Sequence, residues 1–207
     1  MMNGVLKYSF LLTIFTLSFI SCTVNKEAQK SKAKLLQKGR INEDTSYIYR
    51  LPYREGASHL LVQGYYSPYT HRNRVALDFK MKKGTKIYAA REGVVVRMNE
   101  AGEKGGLKPE YRQEANYIVI QHADGSRAGY WHLKKNGVLV AIGDTVTKGQ
   151  LIGLSGNTGY TAFPHLHFVV WSNDEKGNWQ TVATRFLTRK KTRYLRPLRF
   201  YRNPAVK

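Results

Sequence analysis

The sequence predicts an all-β domain, a sandwich or barrel of many short strands, on three observations. Apolar and polar residues alternate with period two in one segment after another from Tyr47 onward, as in Arg74-Val75-Ala76-Leu77-Asp78-Phe79. Turns bearing glycine or aspartate recur between these segments, at Gly84-Thr85, Ala123-Asp124-Gly125-Ser126 and Gly143-Asp144. The segments are rich in β-branched and aromatic residues, which suit a pleated, half-buried surface. A chain of 207 residues with 42% hydrophobic and 12% aromatic residues has room for one sizeable core plus terminal extensions.

The elements follow in order. Residues 1–21 carry Lys7 and then an apolar run from Tyr8 to Ile20, too short to cross a bilayer comfortably and typical of an export signal. The run ends in Phe19-Ile20-Ser21-Cys22, and Cys22 is the only cysteine, which excludes an intramolecular disulfide. This segment resembles a bacterial lipoprotein signal peptide, with the departure that Phe19 stands where an aliphatic residue is usual. The resemblance implies acylation of Cys22 and attachment to a membrane through that lipid anchor. It places the protein in the bacterial cell envelope, facing the periplasm or the cell exterior. Residues 22–46 are polar and read as a tether, with a thin apolar stripe at Leu35-Leu36.

Residues 47–175 are the expected folded domain. Strands are read at Tyr47–Leu51, His59–Gln63, Arg74–Phe79, Lys86–Ala90 and Gly93–Met98. The stretch 99–115, with Gly102, Gly105, Gly106 and Pro109, reads as a loop. Further strands follow at Asn116–Gln121, Gly129–Leu133, Gln150–Leu154 and Phe163–Trp171. Gly156-Asn157-Thr158-Gly159 reads as a tight connection whose glycines permit positive φ.

The last strand carries His165-Leu166-His167, so both imidazoles face one way while Leu166 and Phe168 face the other. Asp78 lies on the polar face of its strand, with His71 on the preceding loop. Alternation puts His132 on the face of Tyr130, away from Trp131 and Leu133. Hydrolytic zinc sites take three His, Asp or Glu ligands and leave a position open. The remaining histidines, His59 and His122, read as packing or structural residues.

From His71 to Trp171 these segments, in this order, resemble the lysostaphin/LytM-type zinc endopeptidases that cut peptidoglycan peptides. The likeness runs through His71…Asp78-Phe79, Gly84-Thr85-Lys86-Ile87-Tyr88-Ala89-Ala90, Asn116-Tyr117-Ile118-Val119-Ile120, Tyr130-Trp131-His132-Leu133, Gly156-Asn157-Thr158-Gly159 and Pro164-His165-Leu166-His167-Phe168. It implies a LytM-like β-sandwich or duplicated hybrid motif with an antiparallel sheet forming the active-site groove. It also implies a Zn2+ cofactor held by His71, Asp78 and His167, catalytic roles for His132 and His165, and substrate binding by Asn116. One position departs from the pattern: the first motif usually places histidine four residues before the aspartate, where this chain has Arg74, and His71 stands seven before Asp78. The expected target is a peptide cross-link or stem peptide of peptidoglycan, with the D-alanyl–diaminopimelate bond ahead of a glycine bridge.

The formal net charge of +20 favours acidic polymers or anionic lipid as partners. No nucleic-acid module is present, and an export signal argues against nucleic acid. Residues 176–207 form a basic extension in which Trp179, Phe186, Tyr194, Phe200 and Tyr201 interrupt the arginines and lysines. A second reading is a non-catalytic peptidoglycan-binding relative, or an activator of another cell-wall hydrolase, and the displaced His71 favours it. A lipoyl-type carrier domain, to which Val138–Gln150 bears some likeness, lacks its modifiable lysine.

Overall fold

The computed structural model describes residues 27–43 and 46–205. The segment 1–21 read as a signal peptide, and Cys22, lie outside these residues. Residues 27–38 form a helix, α1. Part of the segment read as a tether is therefore folded onto the domain. Ala33 and Leu36, three residues apart on one face, are buried, and Gln37 Nε2 donates to the Leu195 carbonyl at 2.6 Å. Arg196 Nε returns a bond to the Gln37 carbonyl at 2.8 Å. Docking on the C-terminal segment, rather than a broad apolar stripe, holds this helix.

The strands that follow are β1 (Ile48–Arg50), β2 (Ser58–Gln63), β3 (Ala76–Lys80), β4 (Lys86–Tyr88), β5 (Gly93–Asn99) and β6 (Gly105–Gly106). A 3-10 helix at Pro109–Glu114 leads to β7 (Tyr117–Gln121), β8 (Arg127–Trp131), β9 (Leu133–Val138), β10 (Thr145–Val146) and β11 (Leu151–Ser155). The stretch read as a loop thus contains β6 and the 3-10 turn. The chain ends with β12 (Gly159–Tyr160), β13 (His165–Asn173), β14 (Trp179–Thr181), β15 (Arg185–Leu187), β16 (Thr192–Tyr194) and β17 (Arg199–Arg202).

One large sheet runs β10-β5-β7-β8-β13-β3-β2-β17, with β14 also paired to β13. Its pairings are antiparallel. Smaller sheets are β4-β11-β9, β1-β15-β16 and the short β12-β6 pair. The all-β class and the site-bearing antiparallel sheet agree with the sequence.

On β3 and β13, Leu77, Phe79, Leu166 and Phe168 face inward. The Phe168 ring lies 5.3 Å from Tyr130, 5.7 Å from Phe186 and 6.3 Å from Tyr49, all edge-on. Burying each such ring contributes about 1.5–3 kcal/mol. The C-terminal extension is part of this body. Phe186, Tyr194, Leu195 and Tyr201 are buried, and the Tyr53 hydroxyl donates to the Tyr201 carbonyl at 2.7 Å.

Candidate active site

The register of β3 and β13 builds the site. His167 stands opposite Asp78, and His165 opposite Lys80, so all four share the face turned away from the core. His167 Nδ1 lies 2.8 Å from Asp78 Oδ1. His71 arrives from the loop before β3 and is fully buried, its Nε2 3.2 Å from both Asp78 Oδ1 and His167 Nδ1. The seven-residue spacing is therefore spanned by a folded loop, closed by an Arg74 N–H bond to the His71 carbonyl at 3.1 Å.

Hydrogen bonding fixes which ring atoms face one another. The Gly64 carbonyl lies 3.0 Å from His71 Nδ1, and a carbonyl only accepts, so Nδ1 carries the proton. The Nε2 lone pair then points at the Asp78 carboxylate, acceptor against acceptor, an arrangement that a cation between them satisfies. Tetrahedral zinc with bonds of about 2.0–2.1 Å places its ligand atoms about 3.3 Å apart. The three observed separations, 2.8, 3.2 and 3.2 Å, match that cage, and the donor set of two imidazoles and a carboxylate is one that zinc prefers. Asp78 Oδ2 accepts from Gln63 Nε2 at 2.9 Å, and Gln63 is held in turn by Thr70 and Ser67. Burial pushes the Asp78 carboxyl up, but the His167 and His71 imidazoles outweigh it and hold it well below the ordinary carboxylate range. Burial pushes His167 down despite Asp78.

Two further imidazoles adjoin the cluster. His165 Nε2 lies 3.7 Å from Asp78 Oδ1, and its Nδ1 donates to the Phe163 carbonyl at 2.8 Å. The His132 ring centre is 4.7 Å from that of His165 and 5.9 Å from that of His167. His132 Nδ1 donates to the Thr158 carbonyl at 2.7 Å. Both rings therefore keep Nε2 free of a proton when neutral. Burial, with the neighbouring His165 and His167, pushes His132 down to about 3.

The path by which His132 reaches this face differs from the sequence reading. Tyr130 pairs with Phe168 and is buried in the core, so simple alternation would send His132 inward with it. Instead His132 adopts φ 65°, which ends β8, starts β9 and turns the imidazole to the groove. The loop 156–159 locks this bend. Gly156 N–H donates to the His132 carbonyl at 2.9 Å, and a Cβ at Gly156 would lie 2.5 Å from the Leu133 carbonyl carbon. Close approach, rather than positive φ, demands glycine there; Gly159, at φ 85°, is the position that needs the left-handed region.

Asn116 does not line the groove, contrary to the substrate-binding role expected for it. It is fully buried, with Oδ1 accepting from Gly102 N–H at 2.8 Å and Nδ2 donating to the Gly102 carbonyl at 2.8 Å. Its N–H donates to Thr158 Oγ1, whose hydroxyl donates to the Leu133 carbonyl, so Asn116 supports the bend that carries His132. His122 donates from Nδ1 to the Glu92 carbonyl and packs on Tyr49, and His59 packs on Tyr53; both are structural. Sequence reasoning missed Gln63, whose contact with Asp78 depends on the bulge between Leu61 and Gln63.

A buried His-Asp-His cluster on an open sheet face, flanked by two imidazoles with free lone pairs, defines the metal centre of a metallohydrolase. The chain belongs to peptidase family M23, whose model matches residues 63–179, more than half of its length. It is 43% identical over 91 residues to the peptidoglycan DD-endopeptidase ShyA of Vibrio cholerae, covering 44% of this chain and 18% of that protein. It is 41% identical over 93 residues to lysostaphin of Staphylococcus staphylolyticus, covering 44% of this chain and 17% of that one. A solved zinc-containing peptidase from Vibrio cholerae is 29% identical, with a TM-score of 0.46, over 60% of this chain and 36% of its own. The chain spans less than a third of the length of these curated relatives. Zinc is the metal that the family and this donor set share.

Proposed function

We propose that this protein is a zinc-dependent endopeptidase that hydrolyses peptide cross-links or stem peptides of bacterial peptidoglycan, with the D-alanyl–diaminopimelate bond as its target. The observation that carries the reading is the convergence of His71, Asp78 and His167, with the Nε2-free rings of His132 and His165 beside them. The activity named for ShyA, a peptidoglycan DD-endopeptidase, supports the choice of substrate.

His71 Nε2, Asp78 Oδ1 and His167 Nδ1 would hold the metal. Zinc supplies Lewis acidity there and lowers the pKa of water to about 7. The chain's own residues handle the proton. The Phe163 and Thr158 carbonyls hold the Nδ1 protons of His165 and His132, which leaves the Nε2 lone pair of each neutral ring free to accept a proton. One Nε2 takes a proton from the attacking water as hydroxyl joins the scissile carbonyl carbon. An imidazolium returns that proton to the departing amine as the C–N bond breaks.

We further propose that the protein is anchored through an acylated Cys22 and works in the cell envelope, which the apolar run ending at a lone cysteine supports. The test of function is incubation of the purified protein with sacculi, with and without chelator, followed by mass analysis of released fragments. Cleaved cross-links, lost on chelation and restored by zinc, are expected. Intact cross-links in the presence of zinc would overturn the enzymatic reading and leave the non-catalytic binding role.

A further inference from the structure

We infer that Lys80, with Leu60 and Phe200 beside it, extends the groove on its β17 side and captures a free carboxylate of the peptide substrate. This rests on the peptidase reading above and adds a specificity determinant to it. Lys80 stands directly opposite His165 in the β3–β13 ladder, so its Cβ lies about 5 Å from that of His165 on the same face. Its ammonium sits 4.3 Å above the Phe163 ring, and that ring is 5.2 Å from the His165 ring. The cation is therefore positioned at the rim of the candidate catalytic pair.

Lys80 is exposed and, among the described residues, has no acidic partner within ion-pair distance. The carboxylate on the same face, Asp78, is buried and engaged by His71, His167 and Gln63. An uncompensated ammonium beside a peptide-cleaving centre favours a substrate that brings its own negative charge.

The shelf beyond Lys80 is apolar. Leu61 pairs with Phe79, which sets Leu60 next to Lys80, and Leu60 pairs with Phe200. Leu61 and Tyr201 are buried in the core, so Leu60 and Phe200 lie on the opposite face, and Phe200 is 70% exposed. Three strand spacings separate His165 from Phe200, roughly 14 Å, a span suited to several residues of an extended peptide. Leu60 and Phe200 both lie outside the 63–179 segment matched by the family model, Phe200 on β17. The geometry points to a peptide with a carboxylate near the scissile bond and apolar groups further along. A carboxylate of a stem peptide meets that description.

The test uses the full-length, zinc-loaded protein and a series of cross-linked stem peptides in which each free carboxylate in turn is replaced by a carboxamide. For at least one position, amidation should raise KM tenfold or more with kcat little changed. K80M should abolish that difference and K80R should keep it, with zinc content and Tm unaltered in both. F200S should raise KM for both members of the pair without changing their ratio. Equal KM values across the wild-type series, or a preference that survives in K80M, would overturn the inference. Should no peptide be cut, the peptidase reading fails on its own. Calorimetric Kd values for the same peptides then decide the role of Lys80: a carboxylate preference lost in K80M upholds it, and equal affinities overturn it.

Discussion

His71 Nε2 and Asp78 Oδ1 lie 3.2 Å apart although they stand seven positions apart in the chain, and both are lone-pair acceptors because the His71 proton sits on Nδ1, which donates a hydrogen bond to the Gly64 carbonyl. Two acceptors turned on each other in a buried site call for a cation, and His167 Nδ1 completes its third corner. The longer loop changes how the first histidine arrives and leaves the donor set intact.

Removing one corner should therefore empty the site. H71A and H167A are expected to copurify with less than about a tenth of the wild-type zinc, since two protein donors hold zinc far more weakly than three. Metal analysis after dialysis checks this, and circular dichroism confirms that both variants stay folded.

Gln63 acts one step further out. Q63L removes the bond to Asp78 Oδ2 and should weaken zinc by about 10–100-fold, the usual cost of losing such a partner. Chelator competition against wild type gives the ratio.

The flanking rings should behave in the opposite way. H132A and H165A are expected to retain zinc and lose about 100-fold or more of the hydrolytic rate, as removal of a general acid–base group does. Rates on a cross-linked peptide, measured beside the zinc content of the same samples, separate this outcome from metal loss.

Gly156 supports the His132 bend by close approach. In G156A the new Cβ would meet backbone atoms of Leu133 and Lys134 at 2.5 Å, so an overpacking cost of about 1–3 kcal/mol is expected, with a lower kcat. The urea midpoint and single-turnover rates measure the two effects.

Acid stability has a separate determinant. Burial pushes Asp124 up, but hydrogen bonds from Ser126 and Arg91 prevail and bring it down to about 2. Its folded pKa lies below its unfolded value near 4, so its contribution is complete above about pH 4 and fades as pH falls toward 2. D124N should be less stable than wild type at pH 6, and the gap should close as the pH approaches 2. Unfolding midpoints across that range test it.

Much of this site was legible in the sequence because strand periodicity is a strong signal. His165, His167 and Asp78 occupy the faces that alternation assigns them, and their register brings them together. His132 reaches the site by a route that alternation does not show: Tyr130 faces the core, and a single left-handed residue resets the alternation without a glycine to announce it. Asn116 is polar and adjacent to a strand, yet its amide is consumed by backbone groups of the Gly102 loop, a fact set by tertiary contact alone. α1 and the strands of the basic extension carry few apolar residues each; they fold because Leu36, Phe186, Leu195 and Tyr201 find a shared core that no local pattern displays.

The most direct test of the metal centre is anomalous diffraction at the zinc edge from crystals of the zinc-loaded chain. One zinc ion is expected at bond distances of about 2.0–2.1 Å from His71 Nε2, Asp78 Oδ1 and His167 Nδ1. Zinc bound elsewhere, or His71 turned away from an empty cluster in excess zinc, would contradict it.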